Sequence, residues 1–234
     1  MAHDHMVHQH RDVQGGAERA AVFGVSDGIV SNVALILGVA AAAESSNSVV
    51  IAGLSGLLAG AASMAAGEYV SMKAQAELVE RELNRERESL AKNPRAETRE
   101  LATIYEQRGV APDAARDMAT AVMADPDVAL EVHAREELGI NPAEIGNPVG
   151  AALSSFAAFA IGALIPLLPW FVTDGTSAVL YSIMAGLGAS AAVGITLATF
   201  TERSKIKTAA RQVALAAVAC AVTYGLGSAL GVAL

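Results

Sequence analysis

Apolar positions along the chain gather into five long runs, at residues 20–43, 48–72, 148–171, 177–200 and 209–234. Each is long enough to cross a hydrocarbon core of about 30 Å as a helix rising about 1.5 Å per residue. Between the second and third runs the pattern changes. Residues 73–147 are rich in Glu and Arg and hold no apolar run of spanning length. The pattern predicts an all-α polytopic membrane protein with five transmembrane helices and a helical insert of 75 residues between helices 2 and 3.

The insert is punctuated as helices. The second run continues into "KAQAELVERELNRERESLAK" with no Gly or Pro, so its helix is expected to extend out of the membrane. Asn93-Pro94 offers an N-cap and a Pro at the first helical position, and Gly109 ends the segment that follows. Pro112 opens a further helix. Asp125-Pro126 opens the last, "DVALEVHAREEL", which Gly139 closes, and "NPAEIGNP" leads back to the membrane. There is no strand pattern. The expected organisation is a His-rich tail (1–19), two spans (20–72), a Glu-rich metal-binding domain (73–147) and three spans (148–234).

Composition supports a membrane protein with closely packed helices. The mean hydropathy is +0.41. The chain is 53% hydrophobic but only 4% aromatic, so its apolar bulk is Ala, Gly, Val and Leu. Small residues let helices approach closely in lipid, where van der Waals packing drives association. A net charge of −8 argues against a nucleic-acid partner, which needs a basic face. Cys220 is the one cysteine, which excludes an internal disulfide and a Cys-based zinc site; within an apolar run it reads as packing. The first run is longer than a signal-peptide core and its leading segment is not notably basic, so it reads as a span.

The basic residues give an orientation. Arg11 and Arg19 precede the first span, ten Lys and Arg lie in the insert, and Arg203, Lys205, Lys207 and Arg211 lie between spans 4 and 5. The other two connections, "ESSNS" and "VTDGTS", carry none. With five spans, all 16 basic residues fall on one side. The positive-inside rule makes that side the cytoplasm. The tail and insert are then cytoplasmic, the C-terminus is outside, and Trp170 is expected in the outer interfacial belt.

Candidate chemistry starts with acids in the membrane. Asp27 lies within the first span, where a bare carboxylate costs about 2.5–3.5 kcal/mol or more. Gly24 and Gly28 flank it at a spacing that favours close helix contact. Met64 and Glu68 are four apart on one face of the second span. Carboxylate oxygen with thioether sulfur suits a divalent transition metal better than Mg²⁺ or Ca²⁺. The plainer alternatives are a structural hydrogen bond for Asp27, an interfacial position for Glu68, and packing for Met64.

The insert offers a second set. Glu77 and Glu80, Glu82 and Glu86, and Glu97 and Glu100 repeat at helical spacing, and His133 shares a helix face with Glu137 beside Glu136. Like charges so placed cost a few tenths of a kcal/mol each, which a cation would offset. Carboxylates and an imidazole from several helices can hold Fe²⁺ or Mn²⁺. Interleaved Arg81, Arg85, Arg87 and Arg99 give the alternative of a solvated face. In the tail, His3, His5, His8 and His10 read as a weak metal-collecting segment, or as a tag remnant of irregular spacing. No Walker motif, dinucleotide fingerprint or Ser/His/Asp set occurs, so the expectation is a gradient-driven transporter without a prosthetic group, and not an enzyme.

"FGVSDGIVSN", "AGAASMAAGEYVSMKAQ", the Glu-rich insert ending "REELGINP", and "NPVGAALSSFAAFAIGALIPLLP" resemble, in this order, the vacuolar iron transporter family. The likeness runs from Glu18 to the C-terminus. It implies a five-span homodimer that moves Fe²⁺, often also Mn²⁺, out of the cytosol in exchange for protons. It implies a path between subunits lined by Asp27 and Met64; Glu68, on the Met64 face by its spacing, is a further candidate for the path. It implies metal collection in the insert by Glu86, Glu97, Glu100 and Glu137; Glu82 and Glu136, by their spacing, and Glu88, beside Ser89, are weaker candidates. The chain departs from the pattern at Ser89 and Gly56, where some members carry glutamate. It departs again at His133 and Ala134, where a methionine pair would fall. His133 can still ligate and Ala134 cannot.

Asp27 would bind the ion with Met64 and release it on protonation from outside. A bacterial inner membrane is the expected location, with detoxifying export. The rival readings are a membrane-anchored di-iron or carboxylate iron oxidase and a metal-sensing membrane protein. The insert lacks the paired Glu-x-x-His motifs that an oxidase would need.

Overall fold

The structure is a computed structural model that describes residues 16–42, 45–142 and 146–231. The histidines of the tail, His3, His5, His8 and His10, lie outside the described residues. Regular structure among the described residues is helical: α1 (Gly16–Ala42), α2 (Ser46–Lys92), α3 (Pro94–Gln107), α4 (Pro112–Val122), α5 (Pro126–Glu136), α6 (Pro148–Leu167), α7 (Gly175–Phe200) and α8 (Lys205–Gly231). Five of these, α1, α2, α6, α7 and α8, are long and apolar enough to cross a membrane. The chain divides into two compact units, Ser71–Asn147 and the remainder.

In the membrane unit α1 is the central helix, packed most closely on α6 and α8. Missing side chains make the α1–α6 crossing possible. A Cβ on Gly28 would collide with the Phe159 carbonyl, and one on Gly162 with the Val25 carbonyl. Gly24 faces the Ser155 carbonyl at a Cβ distance of 3.0 Å. The Gly24/Gly28 pair thus acts as its spacing predicts. Gly227 and Gly38 do the same between α8 and α1. α2 packs through longer side chains: Val49 joins Ile36 and Leu167, while Leu57 and Ala61 join Phe159 and Ala163.

One boundary differs from the sequence reading. α8 begins at Lys205, so Lys205 and Lys207 are helical and only residues 201–204 connect it to α7. Trp170, expected at the outer interface, is 6% exposed. Its Nε1–H donates to Ser182 Oγ at 2.8 Å, and that hydroxyl donates to the Pro166 carbonyl at 2.6 Å. A hydroxyl within reach lets the indole be buried with its donor satisfied.

α2 is a single helix of 47 residues, about 70 Å at the standard rise. Its charged end belongs to the second unit with α3, α4 and α5. Leu101 and Ala102 of α3 pack on Ala119 of α4, with Val132 of α5 against them. Pro94, Pro112 and Pro126 each open a helix, and Gly109 (φ 92°) and Gly139 (φ 65°) supply the left-handed residues that follow α3 and α5. Asp125 caps α5 by accepting from the Asp127 and Val128 amides. Asn93, expected to cap α3, makes no side-chain cap bond; its backbone (φ −132°, ψ 49°) is not in the extended region typical of N-caps.

Candidate metal sites

The first site is a cavity of about 330 Å³ in the membrane unit, lined by Asp27, Ser31 and Asn32 of α1, Ser63 and Met64 of α2, and Phe159 of α6. Glycine packing fixes α1 on α6 and places Asp27, which is exposed on the single chain, at the cavity. Ser31 spends its hydroxyl on the Asp27 backbone carbonyl, 2.6 Å away. Among the described residues no Ser or Asn side chain hydrogen-bonds the Asp27 carboxylate, as the structural alternative required. Gly56 and Gly60 let α2 lie close against its neighbours beside the cavity: a Cβ at Gly60 would strike the Phe159 ring, and one at Gly56 the Leu35 side chain.

Met64 reaches the cavity and also packs on the Phe159 cluster, so it serves both readings. Glu68, one turn along α2, is not part of the lining. It lies 4.0 Å from Arg19 at the start of α1. Asn32, which sequence reasoning missed, is 2% exposed and lines the cavity. The signal was available: an amide in the middle of an apolar run is as anomalous as Asp27.

The second site lies in the insert. Glu86 of α2, Glu97 of α3, and His133 and Glu137 at the end of α5 each offer a ligand atom, all within 4.8 Å of one another. His133 is fully buried; its Nδ1 lies 3.2 Å from Glu86 Oε1 and 3.8 Å from Glu137 Oε2. His133 Nε2 has no hydrogen-bond partner, and the Nδ1–Glu86 Oε1 approach does not have hydrogen-bond geometry. Buried polar atoms are normally satisfied, so convergent unpartnered ligand atoms fit a cation. Burial first, then the charges of Glu137, Glu97 and Glu100, push the Glu86 carboxyl up to about 7. Glu137 is also raised, chiefly by burial and then by Glu100. Ser89 donates to Glu97 Oε1 at 2.6 Å, so the residue standing in place of a glutamate holds a ligand in position.

The other acids separate from this cluster. Glu100 is near enough to raise Glu86 and Glu137 but does not share the tight group. Glu82 binds Arg85, and Glu88 binds Lys92, which holds its carboxyl below the usual value. Glu136 pairs with Arg108. These three behave as the charged helix face that the interleaved arginines suggested.

Residues 18–228 match the model of the VIT family. The chain belongs to this family. It is 37% identical over 228 residues to a vacuolar iron transporter of Acanthamoeba castellanii, covering 94% of this chain and 81% of that one. It is 31% identical to vacuolar iron transporter 1 of Oryza sativa subsp. japonica over 98% of this chain and 92% of the relative. With Arabidopsis thaliana vacuolar iron transporter 1 it shares 30% identity over 95% of this chain and 89% of the other. Family membership and five apolar helices make this VIT-family chain an integral membrane protein of a metal-transporter family.

Proposed function

We propose that this VIT-family protein carries Fe²⁺, and also Mn²⁺, out of the cytosol in exchange for protons. The observation that supports this best is the meeting of Asp27 and Met64, from different helices, at one cavity inside the membrane unit. A carboxylate there can hold either a divalent ion or a proton, which makes the two mutually exclusive passengers. The insert cluster of Glu86, Glu97, His133 and Glu137 collects ions from the cytosol. The tail and insert face the cytosol, following the placement of the basic residues. The membrane is a bacterial inner membrane. The same orientation in a vacuolar membrane, where the relatives' names place them, would also move metal out of the cytosol.

The working unit is a homodimer with its path between subunits. The exposed Asp27 and the uncovered apolar residues Ile51, Leu54 and Leu58 of α2 agree with a second copy completing the path.

The test is uptake of Fe²⁺, kept reduced, or Mn²⁺ by proteoliposomes under an imposed pH gradient. Wild type should transport. Asp27→Asn should abolish flux, and Met64→Leu should weaken it, with both variants remaining folded. Full flux in Asp27→Asn would refute the reading. Oxygen consumption with Fe²⁺ and no flux would favour an oxidase instead.

A further inference from the structure

We propose that Asn32 is a third ligand of the transported ion within the membrane, supplying a neutral amide oxygen beside the Asp27 carboxylate and the Met64 thioether. This rests on the transport reading above and adds to it a residue that sets which ions the cavity accepts.

The geometry decides which end of the amide faces the cavity. Asn32 Nδ2 donates to the Ala163 carbonyl of α6 at 2.7 Å. A carbonyl can only accept, so the nitrogen is the anchored atom and Oδ1 is the free one. Asn32 is 2% exposed and Oδ1 has no hydrogen-bond partner. An unpaired amide oxygen at membrane depth is costly. This one belongs to a residue lining the same cavity as Asp27 and Met64. Gly56 of α2 packs close by, and an added Cβ there would come to 3.0 Å from Oδ1. A cation held by Asp27 is the partner that this oxygen lacks.

Ligand chemistry gives the consequence. Carboxylate and amide oxygens are hard donors and a thioether is soft. With all three, the site suits Mn²⁺ and Fe²⁺. Without the amide, the thioether carries more weight and the preference moves towards a softer ion such as Cd²⁺.

The experiment compares Mn²⁺ and Cd²⁺ flux in proteoliposomes for wild type, Asn32→Leu and Asn32→Asp. Asn32→Leu should lose at least about tenfold more Mn²⁺ flux than Cd²⁺ flux, the scale on which even indirect perturbations of metal sites act. Asn32→Asp keeps an oxygen at the site, although an ionised carboxylate cannot donate to Ala163, and it should still favour Mn²⁺. A purely structural role predicts that both variants fail alike for both ions. That result, or an unchanged Mn²⁺-to-Cd²⁺ ratio in Asn32→Leu, overturns the proposal. If Asn32→Leu does not give monodisperse protein, Asn32→Ser is read in the same way, since its hydroxyl is too short to reach the Oδ1 position. Wild type without flux of either ion would overturn the transport reading itself. Wild-type flux with an unaltered ratio in the variant would remove only Asn32 from the site.

Discussion

Glu86 shows at residue scale how a metal site can be built at the expense of the empty fold. Its carboxyl sits at about 7 against an ordinary 4.5, because burial and three neighbouring acids disfavour its charge. Protons released on folding or unfolding set the sign of the pH dependence. A folded-state value above the unfolded one stabilises fully below about pH 4.5, and the gain is lost as pH rises through about 7. Metal-free protein should therefore melt at a lower temperature at pH 8 than at pH 5. Mn²⁺ should narrow the gap, because a bound cation favours the ionised form. Thermal unfolding of the full chain in detergent checks this, and a metal-free protein that is more stable at pH 8 would contradict it. His133→Ala should weaken Mn²⁺ binding at least about tenfold, read by calorimetry, whereas Glu88→Gln should leave it unchanged. The acids were visible in sequence, and the family resemblance grouped Glu86, Glu97, Glu100 and Glu137, but helical spacing did not. Helical spacing alone treats Glu86 and Glu88 alike. Only the fold buries the first beside His133 and leaves the second with Lys92. Asn32 stood out in sequence as an amide in an apolar run, but its anchor, Ala163, is 131 residues away.

At the scale of elements, length and apolarity made the spans legible, and Pro and Gly made the insert helices legible. Boundaries failed where charge was taken to mean loop. Lys205 and Lys207 extend α8 beyond its apolar stretch, because a helix need not end where hydrocarbon does. The α1–α6 crossing depends on atoms that are not there, so adding them is the sharpest test. Gly28→Leu must push the Phe159 carbonyl away and should abolish the monodisperse folded protein in size-exclusion chromatography. Gly67→Ala, where an added Cβ meets nothing within 4 Å, should behave as wild type. In the insert, Asp125→Ala removes the two cap hydrogen bonds of α5 and should cost about 1 kcal/mol. A Gly28→Leu protein indistinguishable from wild type would mean that α1 and α6 do not cross at these glycines.

In the proposed function the whole molecule joins two kinds of metal chemistry in one chain. The insert presents carboxylates and an imidazole, ligands that suit the capture of a divalent ion. The membrane unit presents a single carboxylate with a thioether, which suits holding an ion briefly and giving it up. The sequence made this division plain, because charge and apolarity segregate into separate stretches. It could not display the cavity, which depends on α1, α2 and α6 converging. In the proposed mechanism metal and protons move in opposite directions through Asp27. The direct measurement loads proteoliposomes with a pH-sensitive dye, imposes only a Mn²⁺ gradient, and follows luminal pH and Mn²⁺ together. Mn²⁺ entry should drive protons out, so that the lumen turns alkaline, and Asp27→Asn should abolish both signals. Mn²⁺ entry with no change in luminal pH, or an Asp27→Asn protein that still couples the two, would contradict it.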